Sequence, residues 1–137
     1  MKKIKFDWGH LILIFVTFVI AFLIVKDFCV KRNIEKSNSF IIAKFESKIR
    51  FPKTTDFNFT YFINGKKYTT SNTGIKYSIL NSSKEKKLID SLKINCFYLA
   101  KLNKDYPNII IVDPTKKITD ISTITKAGFT KEEIKKE

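Results

Sequence analysis

The chain has 137 residues, room for one domain and little else. Its formal charge of +13, from 26 Lys+Arg against 13 Asp+Glu, would on its own point to nucleic acid or anionic lipid. The cations are spread along the whole chain and nearly all are Lys, with Arg only at Arg32 and Arg50, so the bidentate forks that read phosphates and bases are scarce and nucleic acid is not expected as a partner. The abundance of Lys, Asn, Ile and Phe matches the codon bias of an AT-rich genome, which raises Lys without a functional cause.

In chain order, residues 1–7 form a short basic tail, and Trp8 to Val25 then reads WGHLILIFVTFVIAFLIV, without a formal charge. These eighteen residues make a helix of roughly 27 Å, close to the hydrocarbon thickness of a bilayer. Apolar side chains surround all sides, as on a lipid-facing helix. Phe28 extends the apolar stretch with Lys26 snorkelling outwards, giving a transmembrane helix over 8–28. Lys26-Asp27-Phe28 follows the apolar core where a signal peptidase would need small residues, so the segment reads as an uncleaved signal anchor. Trp8 and His10 suit the membrane interface, and no proton or metal role is expected of His10. Lys2, Lys3 and Lys5 on one side nearly balance Lys26, Lys31, Arg32 and Lys36 on the other. With a short N-terminal tail and a long C-terminal domain, the expected orientation places the domain outside the cytoplasm.

A polar linker is predicted over 29–38 and a β-rich domain over 39–118. Phe40 to Ile49 reads as a strand with Ala43 and Phe45 on one side and Lys44 and Glu46 on the other; Phe51 to Asp56 breaks it. Phe57 to Ile63 alternates, Asn64-Gly65 follows, and Lys66 to Thr70 returns, the signature of a type I′ hairpin pairing Tyr61 with Tyr68 and Phe62 with Lys67. A short helix over Lys84 to Leu92 has Ser83 as its candidate N-cap. Lys93 to Leu102 and Asn108 to Val112 read as the remaining strands, the last stopped by Asp113-Pro114. In the tail, 119–137, Thr130 followed by Glu133 is a capping box for a helix of one or two turns. The expected class is therefore mainly β: one transmembrane helix, then a small antiparallel β-sandwich or barrel-like domain of about five strands with a short helix. A domain of this size buries only about 60% of its unfolded surface. It therefore depends on its aromatics, and the chain carries 13 Phe and 5 Tyr.

At Phe59, Tyr61, Ile63, Asn64, Gly65, Lys66 and Tyr68, and again at Cys96-Phe97-Tyr98 and Tyr106-Pro107-Asn108-Ile109, the chain resembles a broad group of uncharacterised small bacterial membrane-anchored β-domain proteins. Their pattern is Y-x-F-x-V-N-G-K-x-Y, a spacer, then V-x-Y and N-P before a final apolar strand. The chain departs from it where Pro107 follows Tyr in place of Asn, and where Tyr98 runs on into Leu-Ala-Lys instead of a turn. The resemblance implies a small β-sandwich or barrel-like fold on a membrane stalk and no activity.

Chemistry is sparse. One His removes most metal sites and His-based triads within a single chain, and four Gly include no phosphate-binding loop. Asp56, Asp90, Asp105, Asp113 and Asp120 lie mainly in segments that turn formation explains. Two Cys make no disulfide framework; Cys29 is juxtamembrane and a candidate for palmitoylation, while Cys96 lies in a strand-like run. Lys26-Asp27-Phe28 before Cys29 excludes lipoprotein processing. No catalytic residue, cofactor, metal or small-molecule substrate is expected. If the sheet has one wet face, Phe62 and Lys67 form an apolar-basic spot for lipid headgroups or a protein partner. The expected role is a non-enzymatic interaction module anchored in the bacterial inner membrane; the alternative is a small immunity factor that binds a membrane-delivered toxin.

Overall fold

The computed structural model describes residues 7–135; of the basic tail only Asp7 falls within it, so Lys2, Lys3 and Lys5 lie outside the described residues. Helix α1 runs from Trp8 to Lys36. Its apolar stretch is uncovered on every side, and by length and composition it suffices to cross a bilayer. Its one mid-span hydroxyl is satisfied within the helix, Thr17 Oγ1 donating to Leu13 O at 2.8 Å.

The helix does not end at Phe28, and most of the predicted linker over 29–38 is helical. Cys29 to Lys36 contains no Gly or Pro, Asp27 pairs with Lys31 one turn on at 2.7 Å, and Lys36 sits in the last turn where a cation complements the helix dipole. The chain divides into two compact units within this helix, at Asn33/Ile34. Ile34, fully buried, belongs to the second unit. The true connection is Ser37 to Ser39, fastened where Ser37 Oγ donates to Leu102 O at 2.8 Å.

The second unit is built on strands β1 (Phe40–Arg50), β2 (Thr55–Ile63), β3 (Lys66–Thr70), β4 (Phe97–Leu102) and β5 (Ile110–Ile118), in the order β3-β2-β1-β4-β5 with every pair antiparallel. Three hairpin-connected strands and a fourth that returns beside the first make a Greek key. The sheet also curls on itself. Beyond β3 the chain continues alongside β5, where Ile110 N donates to Asn72 O at 3.1 Å and Val112 N to Thr73 O at 3.0 Å. A five-stranded, partly open Greek-key barrel of this kind is an OB-type architecture. Of the two expected alternatives, sandwich and barrel, the chain adopts the barrel. A bulge at Glu46, between the pairs Phe45–Phe59 and Ser47–Asn58, adds the local bend that lets β1 pair with both β2 and β4.

The hairpin follows the predicted register residue for residue, with Tyr61 opposite Tyr68 and Phe62 opposite Lys67. Asn64 and Gly65 take φ of 50° and 78°, as a type I′ turn demands. Inside the barrel Phe45 stacks on Phe59 at 5.0 Å, Phe59 meets Tyr98 edge-on at 6.2 Å, and Tyr61 stacks on Tyr68 at 5.8 Å. The Tyr61 hydroxyl donates to Pro107 O, and burial, with Tyr68 adding to it, pushes its pKa up to about 12. Ala43, Cys96, Ala100, Leu102, Ile110 and Val112 complete the interior. Helix α2 (Ser83–Asp90) contributes Ile89 to that core.

Besides shifts of one or two residues at the end of β1, the start of β2, the end of α2 and the start of β5, three boundaries differ from the sequence reading. The N-cap of α2 is Ser82, one residue earlier, because only Ser82 has Glu85 at the third position to close a capping box. Strand β4 starts at Phe97: Asn95 has φ 65°, and Cys96 N donates to Lys93 O in a turn, which leaves Ile94 exposed. Strand β5 passes through Asp113-Pro114, because residues 113–116 bulge out opposite the single residue Leu99 and a bulge asks no ladder donor of proline. Replacing Phe59, fully buried, by Ala should lower the stability of the domain by about 3–5 kcal/mol in chemical denaturation. Phe51→Ala, half-exposed in the β1–β2 turn, should stay within about 0.5 kcal/mol.

Candidate interaction surface

Phe62, at the end of β2, points away from the barrel interior and packs with a second apolar cluster on the outer face. The chain after β5 covers it. Helix α3 (Ile121–Lys126), absent from the sequence reading, is capped by Asp120, and α4 (Lys131–Ile134) by the predicted Thr130–Glu133 box. Between them Phe129 is buried edge-on to Phe62 at 5.1 Å and to Phe97 at 4.9 Å. Gly128 has φ +107°, and a Cβ there would lie 2.9 Å from the Phe62 ring, so both its conformation and its space call for glycine.

Lys67 Nζ lies 3.0 Å from Glu133 Oε1 and 5.9 Å from the centroid of the Phe62 ring. The condition for an open Phe62–Lys67 spot is therefore not met: the face is occupied by the chain's own C-terminal segment. Asn64 and Gly65 remain exposed at the hairpin tip. Trp8, His10 and Lys26 lie on α1, with Trp8 and Lys26 exposed.

A second feature is a recess of about 300 Å³ beside the β5 bulge. Phe40, Leu99, Ile111 and Pro114 contribute its walls, and Glu35, Asp113, Lys101 and Lys116 its polar groups. Lys101 Nζ donates to Glu35 O at 2.6 Å and lies 5.7 Å from the Phe40 ring centroid. Lys116 Nζ stands 3.8 Å from Asp113 Oδ2. Hydrogen bonds from Thr115, opposed by partial burial and helped by Lys116, hold the Asp113 carboxyl below the usual carboxylate range. Apolar walls with cations and carboxylates around them can hold an amphipathic side chain of a partner; they offer no nucleophile–base pair. Among the described residues no group of three or more His, Cys, Asp or Glu side chains comes together. Nothing in the sequence signalled this recess, since its residues are drawn from α1, β1, β4 and a bulge that was read as a strand end.

Comparison with protein-family models, curated proteins and solved structures gives no match.

The C-terminal cover should respond to acid before the barrel does. Asp120 is lowered to about 2, mainly by the hydrogen bond from the Thr123 side chain, and Glu133 is lowered first by the backbone of Thr130 and then by Lys67. Both folded values lie below the ordinary ones of 3.8 and 4.5, so their stabilisation is complete above those values and lost as pH falls through the folded ones. Amide exchange, corrected for intrinsic rates, should show protection of 121–134 failing as pH drops from 4.5 towards 2 while β1 and β2 stay protected. At neutral pH, Gly128→Ala should weaken the same segment by about 1–3 kcal/mol.

Proposed function

We propose that the chain is a membrane-tethered, non-enzymatic interaction module of the bacterial envelope, anchored once in the inner membrane with its barrel outside the cytoplasm. The observation that carries this reading is α1: an uncovered apolar stretch long enough for a bilayer that continues, without a helix break, into the first residues of a barrel with its own core. Seven residues lie between Lys26 and Ile34, which limits the tether to under about 30 Å even if fully extended. Such a tether confines the barrel to the bilayer surface and raises its effective concentration for anything else held there. The recess beside β5 is the surface this reading assigns to a protein partner, because the outer face at Phe62 is already occupied.

Membrane topology tests it. Asn64→Cys, at the exposed hairpin turn, in a Cys29→Ser, Cys96→Ser background, should react with an impermeant thiol reagent in intact spheroplasts. Labelling that appears only after lysis would place the barrel in the cytoplasm and overturn the envelope assignment.

A further inference from the structure

Strand β1 ends at Arg50, β3 ends at Thr70, and β4, antiparallel to β1, begins at Phe97. The β1–β2 turn, the β3–α2 loop and the α2–β4 loop therefore emerge at one end of the barrel, opposite the end where Ser37 is fastened to Leu102. The ion pair of Lys48 with Asp90 at 3.3 Å, and Lys48 Nζ 5.2 Å from the Tyr77 ring centroid, draw the end of β1, the end of α2 and the loop before it together. Ile49, Phe51, Ile79, Leu80 and Ile94, from β1 and these three loops, are all exposed here. Ile79 and Leu80 stand out among them, at 93% and 94% exposure. They sit at the corner of a turn closed by Ser78 and Asn81, where Asn81 N donates to Ser78 O and Ser78 N donates to Asn81 Oδ1, so the two side chains are held out by backbone geometry.

The surrounding charge is one-sided. Residues 48–56 and 76–93 carry eight basic side chains and three acidic ones. Two of the acids are already engaged, Glu85 in the α2 cap and Asp90 with Lys48. We infer that this end of the barrel is a docking surface for an anionic lipid bilayer, with Ile79 and Leu80 entering the headgroup–acyl boundary and the lysines meeting lipid phosphates. The composition selects lipid over the other anionic partners. Protein interfaces are depleted in Lys and concentrate their binding energy in Trp, Tyr and Arg, whereas exposed aliphatic residues among lysines suit an interface of fluid chains and diffuse negative charge. Single-stranded nucleic acid would need exposed aromatic platforms, and Phe51 alone supplies one here.

This inference builds on the tethered-module reading, and the test separates the two. The full chain carrying Leu80→Cys, in a Cys29→Ser, Cys96→Ala background, is labelled with an environment-sensitive fluorophore and reconstituted into phosphatidylcholine vesicles with or without phosphatidylglycerol. Alkali-resistant flotation with the vesicles reports the span; emission at position 80 reports the docking end. The expected result is a blue shift, with quenching by doxyl-labelled lipid, that requires phosphatidylglycerol and is absent from the same label at Asn64→Cys. Phosphatidylglycerol supplied in the host vesicles or in a second, acceptor population tells whether this end meets its own bilayer or a facing one; a shift in either arrangement supports the inference. Lys84→Gln with Lys87→Gln should raise the anionic lipid needed for half the shift by about tenfold or more, at roughly fivefold per lysine. Emission at position 80 that stays as wet as that at 64 in both arrangements, in a chain that floats, would overturn the inference and leave the tether standing. A shift that appears only on adding a soluble protein extract would overturn it in favour of a protein partner.

Discussion

The barrel depends on one seam. A curled five-stranded sheet leaves two edges, and here β5 is joined to the chain just beyond β3 by Ile110 N on Asn72 O and Val112 N on Thr73 O. Thr70 Oγ1 donates to Asn108 O at 2.7 Å beside it, and the Tyr61 hydroxyl reaches Pro107 O. Without these contacts the rings of Phe45, Phe57 and Phe59 would line one face of an open sheet; with them, all three are fully buried. The seam is irregular, and Thr73 Oγ1 is buried there without a hydrogen-bond partner among the described residues. Closure of the barrel is worth more to the fold than that one unsatisfied hydroxyl costs.

The two faces of β2 show how a small domain spends its aromatic residues. Phe57, Phe59 and Tyr61 alternate into the barrel. Phe62 faces outwards and would be a liability on a wet surface, yet it forms half of a second core whose other half, Phe129, arrives with the C-terminal segment. A short chain thereby obtains two apolar clusters from one sheet, one inside and one outside. The outer cluster is the smaller, and the elements that cover it are brief helices of six and four residues held by caps and the Lys67–Glu133 pair. Its lower local stability follows from that construction.

Legibility in the sequence followed the range of the interaction. Asn64-Gly65 specified the hairpin to the residue, since a two-residue turn leaves the flanking strands a single register. The apolar stretch from Trp8 was equally plain, because its signal is local and lacks any competing polar pattern. What escaped were features decided by distant partners. The helical nature of 29–36 is masked by its polarity, and Ile34 does not declare itself as a buried anchor. Proline at 114 reads as a stop unless one knows that Leu99 alone faces the residues around it. The exposure of Phe62 was unreadable for the same reason: its covering residue, Phe129, lies in a tail whose pattern announced a short capped helix but nothing of what it packs against.

The seam also sets the order in which the molecule can be made. Thr70 and Asn108, which meet across it, are 38 residues apart, and every contact of β5 belongs to the last part of the barrel to leave the ribosome. Until then the partial sheet β3-β2-β1-β4 has its β3 and β4 edges bare and its phenylalanines on an open face, a state prone to pair with its own kind. Late, non-local closure of this sort is slow compared with forming the hairpin at Asn64-Gly65. On the proposed anchoring, a nascent chain with its first segment lodged in lipid would wait out that interval attached to a surface, its encounters with other unfinished chains restricted to neighbours in the same membrane.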